Sequence, residues 1–100
     1  MSYLRPTPLD RLTDAKGRPY FLWDGDLTLD EFRALLDGDD PAERARMLGK
    51  LLREARPDDA FLFVTPDRIR EEWPAVQRHL GRRREFWRWL LDSWKELGVA

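Results

Sequence analysis

The sequence contains no cysteine and no asparagine, a single histidine, His79, and a single glutamine, Gln77. Without cysteine there is neither a disulfide framework nor a thiolate metal site, and one histidine cannot build a histidine-rich one. No apolar run approaches the ~20 residues that a bilayer-spanning helix needs. The opening "MSYLRPTPLD" has prolines and an acid where a secretory signal would place its apolar stretch. No glycine spacing matches a phosphate-binding loop, and there is no internal repeat or low-complexity segment. The expectation from these absences is a cytoplasmic protein with no cofactor, no bound metal and no membrane partner.

What is present suits one small globular domain: 100 residues, 42% of them hydrophobic and 37% charged. Arg far outnumbers Lys. Together with the scarcity of amides, this fits a thermophile-like composition, although a GC-rich genome favours Arg as well. The net charge is only -1, but it is unevenly spread. Residues 24–65 carry an acidic excess, while the N-terminal stretch and residues 66–100 are mildly basic. Such asymmetry permits head-to-tail association of two copies or an anionic partner.

Helix signals dominate the chain. Residues 1–19 contain Pro6, Pro8, Gly17 and Pro19 without a sustained period, and read as an irregular N-terminal arm. Residues 20–100 read as a single helical domain. "YFLW" at 20–23 is too short to classify by period. Thr28 and Glu31 then have capping-box spacing, with Leu27 and Phe32 as a hydrophobic staple, and Gly38 is the expected stop. Asp40, Pro41 and Glu43 start a second helix, with Ala45, Leu48, Leu51, Leu52 and Ala55 on one face and Pro57 at its end. Gly49 in its interior suggests close packing. Asp58 is a candidate cap for a short helix through "DAFLFV", where a strand is the alternative. Thr65-Pro66 begins another helix, which Pro74 is expected to interrupt after Trp73. In "RRREFWRWLLDSWKELG", Phe86, Trp87, Leu90, Trp94 and Leu97 share a broad face, with Trp89 and Leu91 at its edges and Gly98 as the stop. The fold class is therefore all-α: a small bundle of four to five helices with an irregular arm.

Three chemical readings compete. "YFLWDGDLT" resembles the first motif of the haloacid-dehalogenase phosphohydrolases, in which a strand delivers two aspartates to magnesium. Here two capped helices follow Asp24 and Asp26 with no strand pattern between them. A metal-dependent phosphohydrolase is thus the disfavoured alternative. A calcium loop counted from Asp24 would need glycine at Leu29 and glutamate at Leu35. Ser2 and Ser93 sit on an arm and inside a helix, away from the exposed turns that nucleophilic serines occupy, so neither pairs convincingly with His79. No catalytic residues are assigned, and a non-enzyme is expected.

The basic end offers the other two. Arg78, Arg82, Arg83 and Arg84 could neutralise phosphates, with nearby aromatics stacking on bases; nucleic-acid binding is the alternative reading. The leading one is a protein interface carried by Arg84, Trp87, Arg88 and Trp89, since Trp and Arg are favoured interface anchors and the apolar stripe is broad. The partner is another protein or, in a homodimer, a second copy.

The run "RPYFLWDGDLTLDEFRALLDGDDPAERARMLGKLLREAR", the following "TPDRIREEWP" and the Arg/Trp-rich last helix resemble a family of small helical proteins of bacteria and archaea. Its members share a Pro-Tyr/Phe-Phe-Leu-Trp-Asp-x-Asp-Leu-Thr motif, here residues 19–28, and the resemblance spans about residues 18–95. One departure is "DAFLFV", where many relatives have a more polar, Trp-containing stretch. Members are often encoded beside abortive-infection-type nucleotidyltransferase toxins. The resemblance implies a non-catalytic, antitoxin-like partner of such a nucleotidyltransferase.

Overall fold

A computed structural model describes residues 5–96, without the side chains of Leu9 and of residues 94–96. Six α-helices follow one another: α1 (Leu9–Leu12), α2 (Leu29–Leu36), α3 (Pro41–Glu54), α4 (Pro57–Ala60), α5 (Pro66–Val76) and α6 (Arg84–Glu96). Single 3-10 turns lie at Tyr20–Leu22, Gln77–His79 and Gly81–Arg83. The described residues form no strand, and the chain is all-α as its sequence pattern predicts. None of these helices is long and apolar enough to cross a membrane.

The three well-capped helices start where the chemistry places them. Thr28 Oγ1 accepts from the Glu31 N–H at 3.2 Å, and Glu31 accepts from the Thr28 N–H at 3.0 Å. These bonds satisfy two orphan donors of α2 and hold the Glu31 carboxyl below its ordinary range. Asp40 caps α3 through the Ala42 N–H at 3.0 Å, and Thr65 caps α5 through the Arg68 N–H at 3.2 Å. Helix α3 is the axle of the molecule. Its Ala45, Met47, Leu48, Leu51 and Leu52 are all buried, and α2, α5 and the 3-10 turns pack around it. Gly49 lies against His79: a Cβ at residue 49 would overlap the His79 Cβ. A second knot of the core is aromatic. Phe21, Phe32 and Phe63 meet edge to face, with centroids 5.2–5.7 Å apart.

Several expectations are corrected. The N-terminal arm is largely irregular, but it carries one short helix that the sequence did not signal: α1 buries Leu12 in the core, and a bridge between Thr13 and Pro19 closes a loop. Asp58 is not a cap, because α4 begins at Pro57 with Arg56 before it. In "DAFLFV" α4 ends at Ala60 and residues 61–63 form a turn, so the segment is neither a helix throughout nor a strand. Pro74 does not interrupt α5, which continues to Val76. The carbonyl bond lost at Pro74 is outweighed by burial of Ile69 and Val76 on either side, with Trp73 packed against the same core. The expected face of the last helix is also rotated. Leu91, placed at its edge, is buried, while Phe86 is 38% exposed. Leu97, the stop at Gly98 and the orientation of Trp94 lie outside what is described.

Candidate interaction face on the last helix

The last turn of any α-helix leaves carbonyl oxygens without intrahelical partners. The end of α3 supplies two such acceptors to the segment that follows α5. The Trp87 Nε1–H donates to the Leu52 oxygen at 2.7 Å, and Arg83 Nη1 donates to the Ala55 oxygen at 3.0 Å. From the other side, Arg70 of α5 donates to the Leu91 oxygen at 2.8 Å. Gly81, with φ +55°, makes the bend that lets α6 return across α3. These bonds fix the rotation of α6 about its axis. Trp87 and Leu91, one turn apart, face inward, and Phe61 meets the Trp87 ring edge to face at 5.7 Å.

Fixing that rotation separates the candidate residues. Trp87 is fully buried, so its assignment as a contact residue is corrected: its ring fills the core and its N–H caps α3. Arg83 is half-buried and spent on the Ala55 oxygen. Arg82, Arg84 and Arg88 are exposed, and Arg78 is exposed with only the nearby Ala75 oxygen as partner. Trp89 is 61% exposed and stands beside Phe86, ring centroids 6.2 Å apart. The structure thus brings Trp89, Phe86 and Arg82 towards one flank of α6. Arg84 and Arg88 occupy the other flank, towards α5.

The ionic pattern of this region differs from that of α3 and α5. Every cation of α3 and α5 is paired: Arg44 with Glu72, Arg46 with Glu43, Lys50 with Asp24, Arg53 with Glu54, Arg68 with Asp37 and Glu72, Arg70 with Asp67. Among the described residues, Arg78, Arg82, Arg83, Arg84 and Arg88 form no ion pair, and Arg82, Arg84 and Arg88 make no side-chain hydrogen bond either. Two depressions flank the helix. One, of about 350 Å³, lies between Pro57, Arg82, Arg83 and Phe86; the other, of about 450 Å³, is lined by Trp73, Gln77, Arg88 and Leu91 among others. The face combines exposed rings, one mainly apolar depression at Pro57 and Phe86, and unneutralised guanidinium groups.

The chain matches no protein family, no curated protein and no solved structure.

The opening aspartates of the phosphohydrolase-like motif are tied into the fold. Asp24 is bonded to Lys50, which holds its carboxyl below the ordinary range, and Asp26 meets Arg18 at 3.0 Å. Tyr20–Leu22 is a 3-10 turn, so the strand that such chemistry uses is replaced by a bend. No cluster of three or more potential metal ligands occurs among the described residues.

One polar site has no local signature in the sequence. Asp59 is completely buried, and its carboxylate accepts from the Thr7 N–H at 2.6 Å, the Thr7 hydroxyl at 2.7 Å and the Tyr20 hydroxyl at 2.5 Å. Burial opposes its ionisation, but the Thr7 N–H and the two hydroxyls outweigh that and hold the carboxyl below its usual value. Burial and the neighbouring carboxylate push the Tyr20 hydroxyl up to about 12. Tyr20 also accepts from the Arg56 N–H at 2.8 Å, linking the N-terminal segment, the 3-10 turn and α4 through one carboxylate. The only sequence signal was an acid next to apolar residues in "DDAFLF", which does not identify distant donors.

Proposed function

We propose that this chain is a non-enzymatic protein-interaction module and that α6 carries its contact face. The observation that supports this reading is the exposed Phe86–Trp89 pair amid arginines that the fold leaves unpaired. Exposed Trp and Arg together are the composition of interface anchors, and these arginines stay free while α3 and α5 pair each of their own cations. The finer reading, an antitoxin-like partner that neutralises a nucleotidyltransferase, rests on the resemblance of residues 18–95. Co-expression with a nucleotidyltransferase of the abortive-infection type from the same genome tests both. The expected result is a stoichiometric complex by size exclusion with light scattering, weakened at least about tenfold by Trp89→Ala with an unchanged melting curve. Failure to form a complex removes the nucleotidyltransferase; loss of folding in the variant removes Trp89 from the face.

Nucleic-acid binding through Arg78, Arg82, Arg83 and Arg84 is the second reading, favoured by the same unpaired guanidinium groups next to stackable rings. It requires an affinity for single-stranded RNA that falls steeply with salt. An affinity that is absent or insensitive to salt eliminates it.

A further inference from the structure

The charge and shape of the α6 face restrict what can sit on it. Phe86 and Pro57 form an apolar floor between Arg82 and Arg83. Arg83 is pinned by its bond to the Ala55 oxygen and serves as a fixed wall, its aliphatic stem available for packing. Arg82 is exposed at the rim with no partner. The depression, about 350 Å³, has the scale of a large side chain rather than of an extended polymer. Across the crest of the helix stand Arg84 and Arg88, roughly one helix diameter of ~10 Å away. Glu85 lies on the crest between the two groups, and Asp92 lines the depression beside Arg88. A uniformly charged phosphate backbone crossing here would meet Glu85. A polypeptide can place its carboxylates on either side of it.

We infer that the occupant of this face is an acidic protein segment that seats one large apolar side chain between Pro57 and Phe86 and sets carboxylates against Arg82 on one flank and Arg84 and Arg88 on the other. The inference rests on the protein-interaction reading and adds the chemistry of the partner. Trp89, beside Phe86, extends the apolar contact towards the crest. The contact combines desolvated aromatic surface at its centre with charge at its edge, the usual division of labour in an interface. Attraction between unpaired arginines and carboxylates makes association sensitive to ionic strength, whereas the seated side chain decides which acidic segment is held.

The test uses the full chain and fluorescein-labelled probes: a Glu/Ser peptide with one central Trp, the same peptide with Ala for Trp, the same with Lys for Glu, and a single-stranded RNA of equal charge. Anisotropy titration of the wild type is expected to give the Trp-containing acidic peptide at least about tenfold tighter binding than its Ala counterpart, and none to the Lys peptide. Phe86→Ala should erase the difference between Trp and Ala peptides. Arg82→Glu should weaken both acidic peptides about tenfold and flatten their salt dependence. Phe86 and Arg82 are exposed, and circular dichroism melts confirm that each variant is folded. Equal binding of the Trp and Ala peptides overturns the inference, as does tighter binding of the RNA or no binding below about 1 mM. The outcome is separable from that of the parent reading. A nucleotidyltransferase complex that is indifferent to Phe86→Ala and Arg82→Glu sinks this inference alone. Peptide binding without such a complex leaves the inference standing and removes the nucleotidyltransferase.

Discussion

Replacing Asp59 by Asn tests whether one buried carboxylate joins the N-terminal segment to the helical core. Three donors converge on Asp59: the Thr7 N–H on Oδ1, and the hydroxyls of Thr7 and Tyr20 on Oδ2. An asparagine can keep the Thr7 N–H on its carbonyl oxygen, but it presents an NH2 group to the two hydroxyls. Both hydroxyl oxygens already accept, Thr7 from Arg56 Nη1 at 3.2 Å and Tyr20 from the Arg56 N–H at 2.8 Å, so neither can turn freely to receive it. Hydrogen bonds to a charged acceptor contribute ~1.5–3 kcal/mol each, and disturbing two of them should cost about 3 kcal/mol. For a domain of this length that is a fall in Tm of about 10–25 °C.

The pH dependence carries the sharper prediction. The folded carboxyl titrates below its unfolded value, so its stabilisation is fully present above about pH 4 and is lost as pH falls through the folded value. Urea unfolding followed by circular dichroism should find a constant gap between wild type and Asp59→Asn from pH 7 to pH 5. Below pH 4 the gap should narrow as the wild-type carboxyl takes up its proton. A gap under ~1 kcal/mol at pH 7, or one unchanged into the acid range, refutes the argument that ionised Asp59 holds this junction.

The other structural claims are testable in the same way. In a Tyr3→Phe background Tyr20 is the only tyrosine, and its ultraviolet titration should have a midpoint near 12. The raised value means that the neutral hydroxyl stabilises the fold below about pH 10 and that this contribution is lost as pH rises towards the folded value; a midpoint at 10 in the folded protein contradicts it. Trp87→Phe removes the donor to the Leu52 oxygen and should cost about 2–3 kcal/mol in urea unfolding, whereas a neutral result means that this oxygen finds another partner. Gly49→Ala should gain ~1 kcal/mol of helix propensity yet lose more to overlap with His79, for a net destabilisation of about 1 kcal/mol. A stabilised Gly49→Ala protein would place His79 elsewhere.

Local chemistry made the capped helices legible in the sequence. Thr28 with Glu31, Asp40 with Pro41, and Thr65 with Pro66 each satisfy donors within three residues, so no distant contact can easily overrule them. The face of α6 was only half legible. Phe86, Leu90 and Trp94 form one helical stripe and Trp87 and Leu91 another, and periodicity does not rank them. The choice is made by the Trp87 N–H and Arg83, which find the carbonyls at the end of α3, about 30 residues earlier in the chain and invisible to any local window. Asp59 is the same kind of case, since its donors Thr7 and Tyr20 come from residues far back in the chain. Pro74 was misread because propensity is a weak prior against burial of Ile69 and Val76. Of the candidate contact residues, Trp89, Arg84 and Arg88 are exposed as an interface needs, whereas Trp87 belongs to the core.

The central claim is that α6 is where this protein meets another. Its most direct test is amide chemical-shift mapping of the labelled chain as the acidic, Trp-containing peptide is added. The account predicts shifts or broadening concentrated in residues 82–92 and in the turn after Pro57, with the acidic surface of α2 unaffected. Perturbations centred on Asp24, Asp26 and exposed Trp23, with α6 silent, would contradict it.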